Sequence, residues 1–114
     1  MEIKINKGGA VMTVFAEGDI DHHNADSLRE KVDAAFERSA CKHMIFDFSR
    51  VSFMDSSGIG LIIGRYKNTE KRGGKLIITS ANENTRRIIQ ISGLQKIVRC
   101  HDTVSDAMKA LGVE

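Results

Sequence analysis

The chain has 114 residues, 41% of them hydrophobic and 28% charged, a length and composition that suit one domain able to bury a core without disulfide or metal staples. Its formal charge is +2, from 17 basic and 15 acidic residues interspersed along the chain, with five Phe, one Tyr and no Trp. Neither a basic stripe for a phosphate backbone nor a stacking platform for single strands is expected, so nucleic acid is not a direct partner. No apolar run approaches the roughly 20 residues that a membrane span needs. Met1 to Lys4 opens no signal-peptide core. A cytoplasmic protein without membrane contact is expected. Cys41 and Cys100 make no disulfide framework and would stay reduced there.

Residues 2–7 are predicted as a strand and Gly8-Gly9 as a turn, because glycine takes positive φ without steric cost. Residues 10–17 return as a second strand with Met12, Val14 and Ala16 on one face. Asp21 or Asn24 can cap a first helix, where Leu28, Val32, Ala35 and Phe36 form one apolar stripe. His43 to Phe48 is β-rich and reads as a central strand, followed by a loop over 49–57. A second helix starts at Asp55-Ser56 and presents Ile59, Ile62, Ile63 and Tyr66, with Gly73-Gly74 after it. Lys75 to Thr79 is the next strand. A third helix over 82–92 presents Thr85, Ile88 and Ile89, and Gly93 suits its end. Lys96 to Cys100 is the last strand. Thr103 caps a final helix carrying Val104, Ala107, Met108 and Leu111, and Gly112 closes it.

The order ββαβαβαβα, with no proline, linker or repeat, describes a single α/β domain over residues 1–114. Its sheet is mostly parallel, since parallel neighbours need crossover helices, and it carries an N-terminal hairpin. Sites in such sheets form beyond the carboxyl ends of the strands. The segment 49–57, SRVSFMDSS, is one such place.

Asp55, Ser56 and Ser57 stand where a helix begins. The first N–H groups of a helix lack intrahelical partners and carry partial positive charge, so an anion is tolerated there. A phosphate on Ser56 would leave the fold intact while adding about −1.5 to −2 charges to an exposed surface. Gly58 and Gly60 weaken the helix by up to about 1 kcal/mol each, and they let another backbone come close. Gly64 reads as a close-packing position. The plainer reading is that Asp55 and the serines are an ordinary N-cap.

The run FMDSSGIGLIIGRYK (53–67) resembles the signature of the STAS family, that is, the anti-sigma factor antagonists. GDIDHH (18–23), RGGKLIIT (72–79), ISGLQKIVR (91–99) and ALGV (110–113) are similar to further blocks of that family, so the resemblance spans essentially the whole chain. It is nearest to the antagonists of the sporulation sigma-F pathway. The resemblance implies a STAS-type domain that is not an enzyme, uses no cofactor and works as a monomer. It implies binding to an anti-sigma factor that is also a serine kinase, release of the sigma factor, and inactivation by phosphorylation of Ser56. A metal-dependent serine phosphatase would reverse the mark. Asp21, Asp55, Ser56, Ser57 and Gly58 are implied as partner-binding residues. A scaffold or stress-response module with the same fold but without this sigma-factor role is the alternative.

Other patterns are weaker. Asp21-His22-His23 matches the triplet of certain metal-dependent phosphoesterases, but those enzymes are much larger, and only His43 and His101 remain here, without ligand spacing. Gly58-x-Gly60-x-x-x-Gly64 lies inside a helix pattern rather than in a dinucleotide-binding turn. Arg72-Gly73-Gly74-Lys75 lacks P-loop spacing. No G-x-S-x-G elbow supports a Ser–His–Asp hydrolase, so no catalytic residue and no metal ligand is assigned. Arg86-Arg87 reads as a solvated helix face.

Overall fold

The computed structural model describes residues 1–113; Glu114, the last residue of the expected domain, lies outside them. Strands β1 (Glu2–Gly8) and β2 (Val11–Ile20) form an antiparallel hairpin in which Gly8 faces Val11. Gly9, in the two-residue loop, has a φ of 57°, which explains a glycine at the turn. Strands β3 (His43–Met54), β4 (Leu76–Thr79) and β5 (Arg99–His101) then add in parallel, in the order β1-β2-β3-β4-β5. Helices α1 (Ala25–Glu37), α2 (Ser56–Lys71) and α3 (Glu83–Ser92) make the crossovers, and α4 (Val104–Ala110) closes the chain.

The sheet grows in one direction from β2 to β5, and right-handed crossovers then place α1, α2 and α3 on one face. Met12, Val14 and Ala16 of β2 meet Met44, Phe46 and Phe48 of β3 there, together with Leu28, Val32 and Phe36 of α1, Leu61 and Ile62 of α2, and Ile89 of α3. On the other face α4 covers Val11, Ile45 and Ile77 with Ala107, flanked by Val104, Met108 and Leu111. Residues 43–48 are therefore covered on both sides, which is why the segment reads as an almost unbroken apolar run.

Two expectations are corrected. Residues 49–54 are strand, not loop: β2 runs on to Ile20 and holds them through the pairs Glu17 with Arg50, Gly18 with Val51, Asp19 with Phe53 and Ile20 with Met54. The register is irregular between Phe15 and Glu17 and again between Gly18 and Asp19, which breaks the two-residue alternation that marks a strand in sequence. The last strand is Arg99–His101, not 96–100. Gly93, at φ 78°, ends α3 and starts a short 3₁₀ turn over Leu94–Lys96. That turn, and not a strand, carries Leu94 into the core, and Val98 is buried just beyond it.

At the opposite edge of the sheet, His43 joins β3 to the start of β4. Its Nδ1 accepts the N–H of Lys75 at 3.0 Å, while Met44 donates to the Lys75 carbonyl at 3.0 Å. A Cβ on Gly74 would run into the carbonyl oxygen of Lys42, so this approach requires glycine. Burial, together with the charges of Lys42 and Lys75, holds His43 below the ordinary histidine value of about 6.5. The neutral ring is the form that accepts the bond. Its contribution is therefore complete above the ordinary value and declines as the pH falls from there toward the depressed one. Thermal melts from pH 7.5 to pH 5 are expected to show a larger loss of stability for the wild type than for His43→Asn, which keeps an acceptor but does not titrate. Parallel pH profiles would contradict this.

Candidate functional site at the start of the second helix

The end of β3 passes into α2 through one residue. Met54 is fully buried, and the N–H of Asp55 donates to the carbonyl of Ile20 at 3.2 Å, which ties the junction to the end of β2. Asp55 is the N-cap of α2. Its carboxylate Oδ1 accepts from the N–H of Ser57 at 2.8 Å, and its carbonyl accepts from Gly58 and Ile59 at 3.0 and 3.2 Å. The cap of α2 thus uses Asp55 and the Ser57 backbone. Ser56, the first helical residue, is exposed, and its hydroxyl takes no part in the cap.

Asp21 lies at the same edge because Ile20 pairs with Met54. Its Oδ1 accepts from the N–H groups of His23 and Asn24 at 3.0 and 3.1 Å, and its carbonyl accepts from Asn24 and Ala25 at 3.1 and 2.8 Å. Of the two capping candidates, Asn24 takes the N-cap position without a side-chain cap bond, and Asp21 holds the turn that leads into α1. Asn24 instead donates its side-chain amide to the carbonyl of Asp19 at 2.8 Å. His22 and His23 stack on each other at 4.2 Å within this turn. Among the described residues no three His, Cys, Asp or Glu side chains are grouped to hold a metal ion.

The expected site residues thus share one edge of the sheet. Gly58 is buried there, and a Cβ on it would collide with the Met54 side chain and touch Ile20. Its glycine lets α2 sit on the ends of β2 and β3. Gly64, expected as a close-packing position, has open space where a Cβ would be, and so has Gly60. Ser57 is half-buried and faces a cavity of about 470 Å³ between α1 and α2 that also takes His22, Arg29 and Arg65.

Three residues that hold or extend this edge escaped the sequence reading. Arg65, only 8% exposed, sits on the buried side of α2, with Nε 2.9 Å from Asp33 Oδ1 and Nη1 donating to the Leu61 carbonyl at 3.3 Å. It fixes α2 against α1. Its signal was an arginine four residues after a core leucine. Asn82 caps α3 by accepting from Thr85 N–H at 2.9 Å, and its amide donates to the carbonyls of Val51 at 3.1 Å and Ser52 at 3.4 Å. Phe53 is an exposed aromatic three positions before Ser56. On the other face of the sheet a cavity of about 480 Å³ opens over Phe15, Asp47 and Arg50. The Asp47 carboxylate there accepts from the hydroxyls of Ser49 and Thr79 at 2.7 and 3.1 Å.

A hairpin-led parallel sheet, with three helices on one face and an exposed serine opening an aspartate-capped helix at the C-terminal edge, defines the class. The model of the STAS domain matches residues 2–107, and the chain belongs to this family. It is 34% identical to the anti-sigma F factor antagonist of Paenibacillus polymyxa, over 99% of this chain and 97% of that one. Its fold superposes on the anti-sigma factor antagonist SpoIIAA in its unphosphorylated form with a TM-score of 0.85 and 29% identity, covering 99% of both chains. Against the Bacillus cell fate determinant SpoIIAA in the phosphorylated form the TM-score is 0.73 at 29% identity, over 96% of this chain and 98% of that one.

The glycines of α2 separate by substitution. Gly58→Ala is expected to lose about 1–3 kcal/mol of stability through overpacking. Gly64→Ala is expected to gain about 0.5–1 kcal/mol, the helix-propensity difference between the two residues. Urea unfolding of the two variants against wild type measures both, and equal effects would show that the packing assignment is mistaken.

Proposed function

We propose that this chain is an anti-sigma factor antagonist. It binds an anti-sigma factor that is also a serine kinase, so that the sigma factor is released, and phosphorylation of Ser56 switches the binding off. The observation that carries this reading is the exposed Ser56 hydroxyl, at the first position of a capped helix and outside the cap itself. The chain acts by binding and supplies no catalytic group. In the transfer, Ser56 Oγ would attack the γ-phosphorus of the kinase-bound ATP. ADP would leave, and the hydroxyl proton would pass to a base on the kinase.

The physics gives the switch its direction. A phosphate at the first turn of α2 sits where the helix macrodipole favours negative charge, an effect of about 0.3–1 kcal/mol, so the fold tolerates it. The same phosphate adds about 1.5 to 2 negative charges beside the carboxylates of Asp21 and Asp55. A partner surface that seats against the neutral hydroxyl must then desolvate that charge or repel it. Burial of an unpaired charge costs several kcal/mol, which exceeds the gain at the helix end. The phosphorylated form keeps its fold and loses its partner. A metal-dependent serine phosphatase would restore the hydroxyl. The setting is cytoplasmic, and no helix among the described residues is long and apolar enough to cross a membrane.

The relatives support this reading by name: one is an anti-sigma F factor antagonist, and SpoIIAA exists in unphosphorylated and phosphorylated forms. Intact-mass spectrometry after incubation with ATP and the anti-sigma F factor of the same organism tests it. One added phosphate on the wild type and none on Ser56→Ala is the expected outcome. An unmodified wild type, with the kinase shown to be active, would remove the switch.

A further inference from the structure

Phe53 is 46% exposed, whereas Phe36, Phe46 and Phe48 are buried and Phe15 is half-buried. An exposed ring is unremarkable on a mobile loop, but this one stands on a fixed backbone. Asp19 pairs with it across the β2–β3 ladder. The two carbonyls before it, of Val51 and Ser52, accept from the Asn82 amide. The residue after it, Met54, is fully buried, and the Asp55 N–H is bonded to Ile20. The ring is thus presented to solvent with little backbone freedom left to lose on binding, which is the condition under which an aromatic contributes most to an interface.

Geometry names its occupant. Three residues of chain span at most about 10–11 Å, so the Phe53 and Ser56 backbones lie within that distance. A specific interface buries about 800 Å² per partner, a patch of roughly 16 Å radius. An interface of that size over the Ser56 hydroxyl has the reach to include Phe53 at the same end of β3. Of the other exposed large apolar residues, Met1 at 38% precedes β1 near the end of β2, while Ile91 at 77% and Ile97 at 42% lie elsewhere. α3 runs away from the Ser56 edge, so Ile91 near its end, and Ile97 before β5, stand at the opposite end of the sheet.

We infer that Phe53 is the apolar anchor of the surface that docks the anti-sigma factor kinase, a role separate from that of the phosphorylated serine. The inference rests on the function proposed above and adds a residue to it. Phe53 acts before any phosphate is transferred, so it sets affinity and KM rather than the rate of transfer once bound.

The test is a binding isotherm of the organism's purified anti-sigma F factor with wild type, Phe53→Ala, Phe53→Gln, Phe53→Tyr and Ile91→Ala, with melting curves for each. Phe53→Ala and Phe53→Gln are expected to bind at least tenfold more weakly, with a raised KM and an unchanged kcat for Ser56 phosphorylation. Phe53→Tyr is expected to stay within about threefold of wild type and Ile91→Ala within twofold, all four folding like the wild type. Wild-type affinity in both Phe53→Ala and Phe53→Gln would overturn the anchor while leaving the Ser56 switch intact. A loss in Ile91→Ala equal to that in Phe53→Ala would overturn the placement of the interface. A wild type that neither binds nor is phosphorylated would overturn the proposed function and, with it, this inference.

Discussion

The long parallel pairing of β2 with β3 is the constraint on which the rest depends. Through the first residues of β3 it is ordinary core pairing, Val11 with His43 to Phe15 with Asp47. It then continues past two register irregularities to Ile20 with Met54. The last pair is fully buried on both sides, so the chain on either strand is fixed up to the residue where it leaves the sheet. Asp21 follows one strand and Asp55 the other, and the hydrogen bond from Asp55 N–H to the Ile20 carbonyl closes the edge. Two turns that are far apart in sequence become one surface. Gly58 completes it, because only a residue without a Cβ lets α2 descend onto Met54 and Ile20.

This arrangement separates what the fold needs from what a partner can read. Asp55 is committed to Ser57 N–H, Asp21 to His23 and Asn24, and Asn82 to β3 and to its own helix. Ser56 and Phe53 are left uncommitted and exposed on the same rigid edge. Charge added to Ser56 meets a helix end that favours anions, so the domain has little reason to rearrange. A docking surface meets the same charge with nothing prepared for it. Within the proposed function, recognition by shape and apolar contact falls to Phe53 and control by charge falls to Ser56, three positions apart.

Legibility followed periodicity. The central strand was plain because Met44, Phe46 and Phe48 face three helices while Ile45 faces α4, and α4 was plain because Thr103 caps a clean 3.6-residue stripe; its hydroxyl does accept from Asp106 N–H at 3.0 Å. Periodicity failed where the register slips. The exposed Ser49, Arg50, Ser52 and Phe53 look like loop residues, and only pairing with β2, a non-local fact, makes them strand. β5 was misplaced because Leu94 and Val98 are buried from a 3₁₀ turn and its exit rather than from a ladder. In the site, Asp55 and Ser56 were legible as a helix start from residue type alone. Gly58, Gly60 and Gly64 were not separable, since whether a glycine is needed depends on what stands opposite its missing Cβ. Arg65 and Asn82 were illegible because their partners, Asp33 and the carbonyls of Val51 and Ser52, are 32 and about 30 residues away in the chain.

The central claim is that one phosphate on Ser56 abolishes binding without disturbing the fold. Calorimetric titration of the organism's anti-sigma F factor with the unphosphorylated chain, and with the same chain fully phosphorylated and repurified, measures this directly. The expected result is tight binding of the first and at least a hundredfold weaker binding of the second, with closely similar amide spectra away from Asp21 and residues 53–58. Equal affinity of the two forms, or a phosphorylated chain that has lost its fold, would contradict the account.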